Sequence, residues 1–348
     1  MSHLIQRGGL PKGQWRVGTG KYSVIVHFRS WGVCLACSIL LLALSLVALR
    51  VGTTSYGFAD LWEVLSGGGE KRARLVIVEW RLPRILAGIV VGALLGMSGV
   101  VFQMITRNPL GSPDIIGFSM GAQTGILVSV LVFGGSIIGS SFAAMVGGTL
   151  AGAVIFALSS KGGFGGVRLI LAGIALSAML GSLNRWLLLQ ADSDAAYGAA
   201  RAITGTLTAV EWKEVTVALA AGGVVMLLLL CAQRQLHLLA LGEQRASTLG
   251  MRVNTERAWL VILATLMVAI ATTTAGPIAF IALLAPHISK QLTGCNTPVV
   301  PAAAVGSTLL LGADVMGQVW ASELPVGVIT AAVGGFYFFG LLLRKETR

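Results

Sequence analysis

Charged residues are scarce in this sequence. Only 11% of its 348 residues are Asp, Glu, Lys or Arg, and 55% are hydrophobic, whereas soluble domains carry about 25% charged residues. A water-exposed surface needs more charge than this, so the composition excludes a soluble globular enzyme, a disordered chain and a coiled coil. The mean hydropathy of +0.84 indicates an integral membrane protein with many spans.

The residue types and motifs of enzyme active sites are also rare. The chain has four cysteines and four histidines. Cys34 and Cys37 form a C-x-x-C inside an apolar run, where they are better interpreted as small apolar residues than as a redox pair. His287 is interpreted as a structural histidine rather than a metal ligand. P-loop, H-E-x-x-H and G-x-S-x-G patterns do not occur, so we predict no catalytic residue, no metal site, no cofactor and no ATP hydrolysis by this chain.

Apolar runs bounded by charged or turn residues predict an all-α polytopic protein with about ten spanning helices. The apolar run that starts at Trp31 is too long for the core of a signal peptide, so we expect an uncleaved first span. Near residues 257–293 the prediction is least regular, because Gly276-Pro277 splits one apolar stretch as a broken helix would. The predicted spans are 32–50, 82–105, 115–134, 137–158, 168–190, 215–232, 257–275, 277–293, 298–318 and 325–343.

Basic residues are distributed unequally between the two sides of the predicted bundle. The side that holds both termini carries 16 of the 25 Lys and Arg residues and 4 acids, whereas the other side has more acids than bases. The positive-inside rule therefore places both termini in the cytoplasm, and it explains the net charge of +11 better than nucleic-acid binding does. We predict a basic cytoplasmic segment at residues 1–31, followed by one transmembrane domain at residues 32–348.

Glycines follow helical spacing on two predicted spans. Gly88, Gly92 and Gly96 lie on the second span, and Gly148 and Gly152 lie on the fourth. Small residues at this spacing allow the backbones of membrane helices to approach closely. A densely packed bundle is therefore expected.

Ionisable residues inside the predicted spans are few. Arg185 and Asp314 are the main ones, and both are predicted near the outer ends. A secondary carrier driven by protons or sodium usually needs carboxylates near the midplane, and a membrane-embedded enzyme needs a catalytic constellation. Both functions remain as rivals, but the sequence favours a pathway whose energy comes from another chain.

Two polar stretches are candidates for contacts with soluble partners. Arg81 and Arg84 lie one turn apart at the predicted outer end, where the positive-inside rule disfavours arginine. Their forked guanidinium groups suit a partner's carboxylates, so docking is favoured over interfacial anchoring. On the inner side, residues 239–253 are predicted to form short surface helices that end at Gly250.

The order of several motifs resembles the permease family of ABC importers for iron–siderophore complexes, haem and cobalamin. The motifs occur in order along most of residues 79–343, and the resemblance does not extend to the first 30 residues. They are R-L-P-R at 81–84, G-x-x-x-Q-x-x-x-R-N-P-L-x-x-P-x-x-x-G at 99–117, L-G-E-x-x-A-x-x-L-G at 241–250, G-P-I-A-F-I-A-L-L-A-P-H-I at 276–288 and E-L-P-V-G-V-I-T at 323–330.

This resemblance implies a complex in which two permease subunits lie in the cell inner membrane. Two cytoplasmic ATPases and an external substrate-binding protein complete this complex. The resemblance also implies site residues. Binding-protein docking is expected at Arg81, Arg84 and Glu323, although Glu323 is equally well interpreted as a cap of the last helix. The segment that couples to the ATPase is expected at Leu241, Gly242, Glu243, Arg245, Ala246, Leu249 and Gly250. The translocation path is expected at Gln103, Asn108, Asn184 and Arg185.

One departure from the family pattern bears on the assembly. Many members have an arginine four residues after the aspartate that corresponds to Asp314, where this chain has Gln318. In this and other motifs the chain is similar to the second permease of ferric-enterobactin-type systems. The resemblance therefore implies import of a catecholate ferric siderophore by a heterodimer of permeases, with cobalamin or haem as alternative substrates and a homodimer as the alternative assembly.

Overall fold

The computed structural model describes residues 5–6, 14–19, 22–52, 54–114, 117–134, 137–160, 166–320 and 324–346. Three short strands precede the first helix: β1 (Ile5–Gln6), β2 (Gln14–Thr19) and β3 (Tyr22–His27). They form an antiparallel sheet in the order β1-β2-β3. These strands lie within the basic N-terminal segment, for which no strand was predicted. All other regular secondary structure among the described residues is helical.

Each of the ten predicted spans coincides with a helix, which confirms the all-α polytopic fold. These helices are α1 (Phe28–Arg50), α4 (Leu82–Thr106), α5 (Phe118–Phe133), α6 (Ile137–Ser160), α7 (Gly166–Gln190), α9 (Trp212–Cys231), α12 (Val253–Ala275), α13 (Ile281–Thr293), α14 (Val299–Trp320) and α15 (Val326–Glu346). The connections contain short helices: α2 (Phe58–Leu65), α3 (Lys71–Arg74), α8 (Ser193–Ala202), α10 (Gln233–Ala240) and α11 (Glu243–Thr248). A π-helical segment, Leu75–Arg81, leads into α4.

Helix lengths separate the spans into two groups. Within the described residues, seven helices are long and apolar enough to cross a membrane, with α3, the π-helical segment and α4 counted as one. Two of the other predicted spans correspond to shorter helices, since α5 has 16 residues and α13 has 13, whereas α15 has 21 residues and contains the apolar stretch Val326–Gly340. The bundle therefore combines full-length spans with shorter helices.

The shortest of these helices, α13, follows an interruption of the backbone. Helix α12 ends at Ala275, Gly276 has a φ of +73°, and regular helix resumes only at Ile281. Phe280, at the start of α13, also has a positive φ of +69°. Non-helical backbone at membrane depth is tolerated where protein surrounds it, and Pro277 and Ile278 are buried. The sequence anticipated this break at Gly276-Pro277.

Helix α4 lies at the centre of the core, against α12, α13 and α14. Its glycines make this packing possible. A Cβ atom at Gly92 or Gly96 would lie closer than 3.0 Å to backbone atoms of α14, and a Cβ atom at Gly99 would do the same to Ala282 of α13. Close approach was therefore correctly predicted for Gly92 and Gly96. Gly88 and Gly152 have ordinary spacing to their neighbours.

Candidate functional site

The chain presents candidate sites at opposite ends of the helix bundle. We call the end where α1 begins the inner end and the end where α1 finishes the outer end. The arginines predicted to dock a binding protein lie at the outer end, because Arg81 contacts the last turn of α1. The segment predicted to couple to an ATPase lies at the inner end, beside the last residues of α4.

Arg81 is buried at the outer end of the helix bundle. It is the last residue of the π-helical segment, and its side chain is buried. The guanidinium group donates hydrogen bonds to the carbonyl oxygens of Leu49 and Thr54, and it lies 5.3 Å from the centre of the Tyr56 ring. Arg81 therefore joins the end of α1, the following loop and the start of α4.

Arg84 forms an ion pair with Asp314 that joins α4 to α14. Arg84 Nε donates to Asp314 Oδ2 at 2.9 Å, and Arg84 Nη2 donates to Oδ1 at 2.8 Å. Gln318 Nε2, one turn further along α14, donates to Asp314 Oδ2 at 2.7 Å. The Asp314 side chain is 1% exposed, whereas that of Arg84 is 21% exposed. Gln318 thus contributes a neutral donor to this site.

Neither outer arginine is a free cation. The pairing of Arg84 uses Nε and Nη2 and leaves Nη1 unengaged among the described residues. The exposed cations at this end include Lys71, Arg72 and Arg74 on α3, beside the exposed Trp62 and Trp80. Glu323, the third predicted docking residue, lies outside the described residues.

At the inner end, the predicted coupling segment folds into α10 and α11. Gly242 and Gly250 flank α11 with φ values of +102° and +84°, which glycine adopts at low cost. Ala246 is buried against the bundle, whereas Leu241, Arg245 and Leu249 are exposed. The exposed side of this segment is available to a partner.

Glu243, the first residue of α11, points back toward the bundle. It accepts a hydrogen bond from the buried Arg257 of α12, and its Oε1 lies 3.3 Å from Nη2 of Arg107, which follows α4. The hydrogen bond from Arg257 is the main reason why the pKa of Glu243 is lowered. A lowered pKa keeps this carboxylate ionised at neutral pH, and its charge is lost only as the pH falls below the usual range for glutamate, about 4.3.

The four predicted path residues do not form one site. Gln103 and Asn108 line a cavity of about 390 Å³ at the inner end, together with Arg107, Pro286 and Lys290. Asn184 and Arg185 lie near the end of α7, away from this cavity. Asn184 is buried and accepts a hydrogen bond from Thr124 of α5 at 2.7 Å, and Arg185 is exposed.

Comparison with known proteins identifies the family. Residues 40–344 match the model of the FecCD transport family. The chain belongs to the FecCD transport family. Among its relatives, the ferric enterobactin transport system permease protein FepG of Escherichia coli (strain K12) is 37% identical over 306 residues, which cover 86% of this chain and 92% of the relative. The cobalamin import system permease protein BtuC of Halobacterium salinarum is 33% identical and covers 82% of this chain and 78% of the relative.

A solved structure extends the agreement to the fold. A metal-chelate type ABC transporter in an inward-facing conformation superposes with a TM-score of 0.80 and 28% sequence identity, covering 90% of this chain and 99% of the other. This FecCD chain is thus the membrane permease component of an ABC importer, and ATP hydrolysis lies in a separate subunit.

Sequence reasoning missed two residues that organise this FecCD permease. Asp114 accepts hydrogen bonds from Ser119 in the first turn of α5 and from the Phe280 N–H at the start of α13, so it holds the interruption beside α13. The signal was Pro113-Asp114 just before a predicted span, a position where aspartate often caps a helix. Arg257, the first residue of the predicted span 257–275, was given no role, although it is buried on α12.

Proposed function

We propose that this chain is one of two permease subunits of an ATP-driven importer that moves a ferric siderophore of the catecholate, enterobactin type across the cell inner membrane. The observation that carries the proposal is the 37% identity to FepG over 92% of that protein. The proposed partners are a second, non-identical permease, two ATPase subunits and a substrate-binding protein. Cobalamin or haem is the alternative substrate, because a cobalamin permease is also a relative.

Uptake assays test the proposed substrate. The chain is expressed with its cognate partners in cells that lack their own siderophore permeases, and uptake of radio-iron enterobactin is compared with uptake of a hydroxamate siderophore, haem and cobalamin. Enterobactin alone should accumulate in the cytoplasm. Accumulation of cobalamin or haem instead would replace the proposed substrate and leave the importer in place.

Affinity purification from the native membrane tests the proposed assembly. An ATPase together with a second, non-identical permease would support the importer and the heterodimer. An ATPase with this chain as the only permease would indicate a homodimer. Absence of any ATPase, under detergent conditions in which known ABC complexes survive, would contradict the importer.

At the outer end, we propose that an acidic residue of the binding protein contacts the Nη1 side of Arg84, next to the buried Arg81. Glu323, which is outside the described residues, stays a proposed docking residue on the strength of its motif alone. The guanidinium of Arg84 supports this proposal, because it is 21% exposed and its Nη1 is unengaged among the described residues. Electrostatic contacts of this kind set orientation and association rate more than affinity.

A matched pair of variants tests outer docking. Replacing Arg84→Met together with Asp314→Asn removes both charges of the pair, so that no buried carboxylate is left alone. We expect the affinity for the loaded binding protein to fall about tenfold, with a weaker dependence on salt. The control replaces Arg72 and Arg74 with Met. Normal affinity in the first variant and weak affinity in the control would move the docking surface to α3.

At the inner end, we propose that the exposed side of residues 239–253 contacts the ATPase, with Leu241, Arg245 and Leu249 outward and with Gly242 and Gly250 fixing the path of the chain around Ala246. Leu241 and Leu249 are 50% and 62% exposed. Apolar side chains of this kind gain free energy when a partner covers them.

Replacing Leu249→Glu tests ATPase contact. A charge in an apolar contact must be desolvated, so we expect at least about tenfold less ATPase to co-purify with this variant. Leu189→Glu is the matched control, because Leu189 is 85% exposed at the opposite end of the bundle. Equal recovery of the ATPase with both variants would contradict the proposed contact.

A further inference from the structure

Three charged side chains from three separate elements meet at the inner end. Glu243 begins α11, Arg107 follows the last residue of α4, and Arg257 lies on α12. Both arginines approach the same carboxylate oxygen, Glu243 Oε1. We call these three residues the inner ion cluster.

The inner ion cluster is more than a surface ion pair. The side chain of Arg257 is 5% exposed, and a buried cation requires compensation by nearby acceptors or anions. Arg107 adopts the left-handed conformation, with a φ of +49°, which is uncommon for a residue with a side chain. This conformation ends α4 and orients Arg107 toward Glu243. The cluster thus has a defined geometry on the bundle side.

Within the part of the chain that the structure describes, few other contacts fix α11 to the bundle. Ala246 is its one buried side chain. A Cβ atom built at the flanking Gly242 or Gly250 would meet no described neighbouring atom within 4 Å. Helix α10 has a separate anchor, because His237 Nε2 lies 2.8 Å from Thr297 Oγ1, just before α14. A displacement of α11 therefore reaches the bundle mainly through Ala246 and Glu243.

On the bundle side, the cluster adjoins the inner cavity. Arg107 and Asn108 belong to the wall of that cavity, opposite Pro286 and Lys290 of α13. A displacement of the Arg107 side chain would move the end of α4. A displacement of the Arg257 side chain would move the first turns of α12. Helix α4 lines the cavity, and α12 packs against α4 in the core.

We propose that Glu243 is a positioning residue that transmits movement of α11 to the inner ends of α4 and α12 through Arg107 and Arg257. The proposal rests on the proposed function, in which the exposed side of α11 meets the ATPase. It assigns Glu243 to the bundle side of the coupling segment and leaves Leu241, Arg245 and Leu249 on the ATPase side.

The test uses the complete importer in proteoliposomes, with ATPase retention, ATP hydrolysis and siderophore uptake measured on the same samples. Glu243→Gln keeps the shape of the side chain and removes its charge. We expect the variant to retain the ATPase and to hydrolyse ATP, while uptake per ATP falls about tenfold. Arg107→Gln should change uptake per ATP in the same direction and by less, because Arg107 is more exposed than Arg257 and lies farther from Glu243.

Two further variants separate positioning from folding. Glu243→Asp keeps the charge on a shorter side chain and should restore part of the uptake per ATP. Lys213→Gln removes an exposed cation from the first turn of α9, outside the cluster and outside residues 239–253, and it should behave as wild type. If Glu243→Gln fails to fold, Arg107→Gln and Glu243→Asp still provide the test.

Each outcome has a distinct meaning. Wild-type uptake per ATP in both Glu243→Gln and Arg107→Gln would overturn the transmission proposal and leave the importer intact. Loss of the ATPase from Glu243→Gln would also overturn it, because Glu243 would then belong to the ATPase contact. Absence of an ATPase from the wild-type complex would contradict the proposed function itself.

Discussion

Replacing Gly99→Ala is expected to prevent accumulation of correctly packed protein. A Cβ atom at this position would lie closer than 3.0 Å to the Ala282 carbonyl group and would touch the ring of Pro286. The obstacle is backbone, so no rotamer change relieves it, and α4 or α13 must move. Overpacking of a core costs about 1–3 kcal/mol or more, and α4 makes two further backbone contacts of this kind at Gly92 and Gly96.

The matched control is Gly223→Ala on α9. No atom lies within 4 Å of a Cβ built at Gly223, and alanine is a better helix former than glycine by about 1 kcal/mol. Size-exclusion profiles and thermal unfolding of the detergent-solubilised proteins provide the measurement. Gly99→Ala should aggregate or unfold at a markedly lower temperature, and Gly223→Ala should not. Equal profiles would show that the contact between α4 and α13 is loose enough to accept a methyl group.

The helices were predictable because their signal is local. A run of about 20 apolar residues needs no partner to be recognised, and the ten runs in the sequence became ten helices. The break after Gly276 was also local, since Gly-Pro interrupts helical hydrogen bonding. The point at which α13 resumes was not predictable, because it depends on the hydrogen bond from the Phe280 N–H to Asp114, which comes from a distant loop.

The orientation of charged side chains was much less predictable. The spacing of residues 241–250 predicts a short helix, and α11 forms there, but nothing local shows that Glu243 turns inward. That orientation depends on Arg107 and Arg257, which only the fold brings together. Arg84 and Asp314 were likewise recognised separately, and their pairing across α4 and α14 has no signature in the sequence.

The N-terminal strands, by contrast, have a local signal in the sequence but were not predicted. Residues 22–27 are rich in β-branched side chains, and Gly20-Lys21 lies between two short runs, which together favour a hairpin. This local signal was present in the sequence. The positive charge of the segment predicts its cytoplasmic location but carries no information about strands.

The substitution Arg84→Met is expected to destabilise the protein by about 3 kcal/mol, because the buried Asp314 carboxylate is then left without the cation that pairs with it. Gln318 still donates one hydrogen bond to Asp314, which keeps the expected loss at the lower end of the usual range for a broken buried pair. Arg185→Met removes an exposed arginine from α7 and should change stability by less than about 0.5 kcal/mol. Thermal or denaturant unfolding in one detergent compares the two variants.

A double-mutant cycle isolates the contribution of the pair. When Asp314→Asn is added to Arg84→Met, no uncompensated charge remains, and the asparagine can still accept the hydrogen bond from Gln318. We therefore expect the double variant to recover most of the stability lost in Arg84→Met, so that the two changes are strongly non-additive. Additive losses would mean that the Arg84 and Asp314 side chains act independently. Recovery would also establish the double variant as a folded protein in which loss of binding-protein docking reports on the Arg84 surface rather than on a damaged bundle.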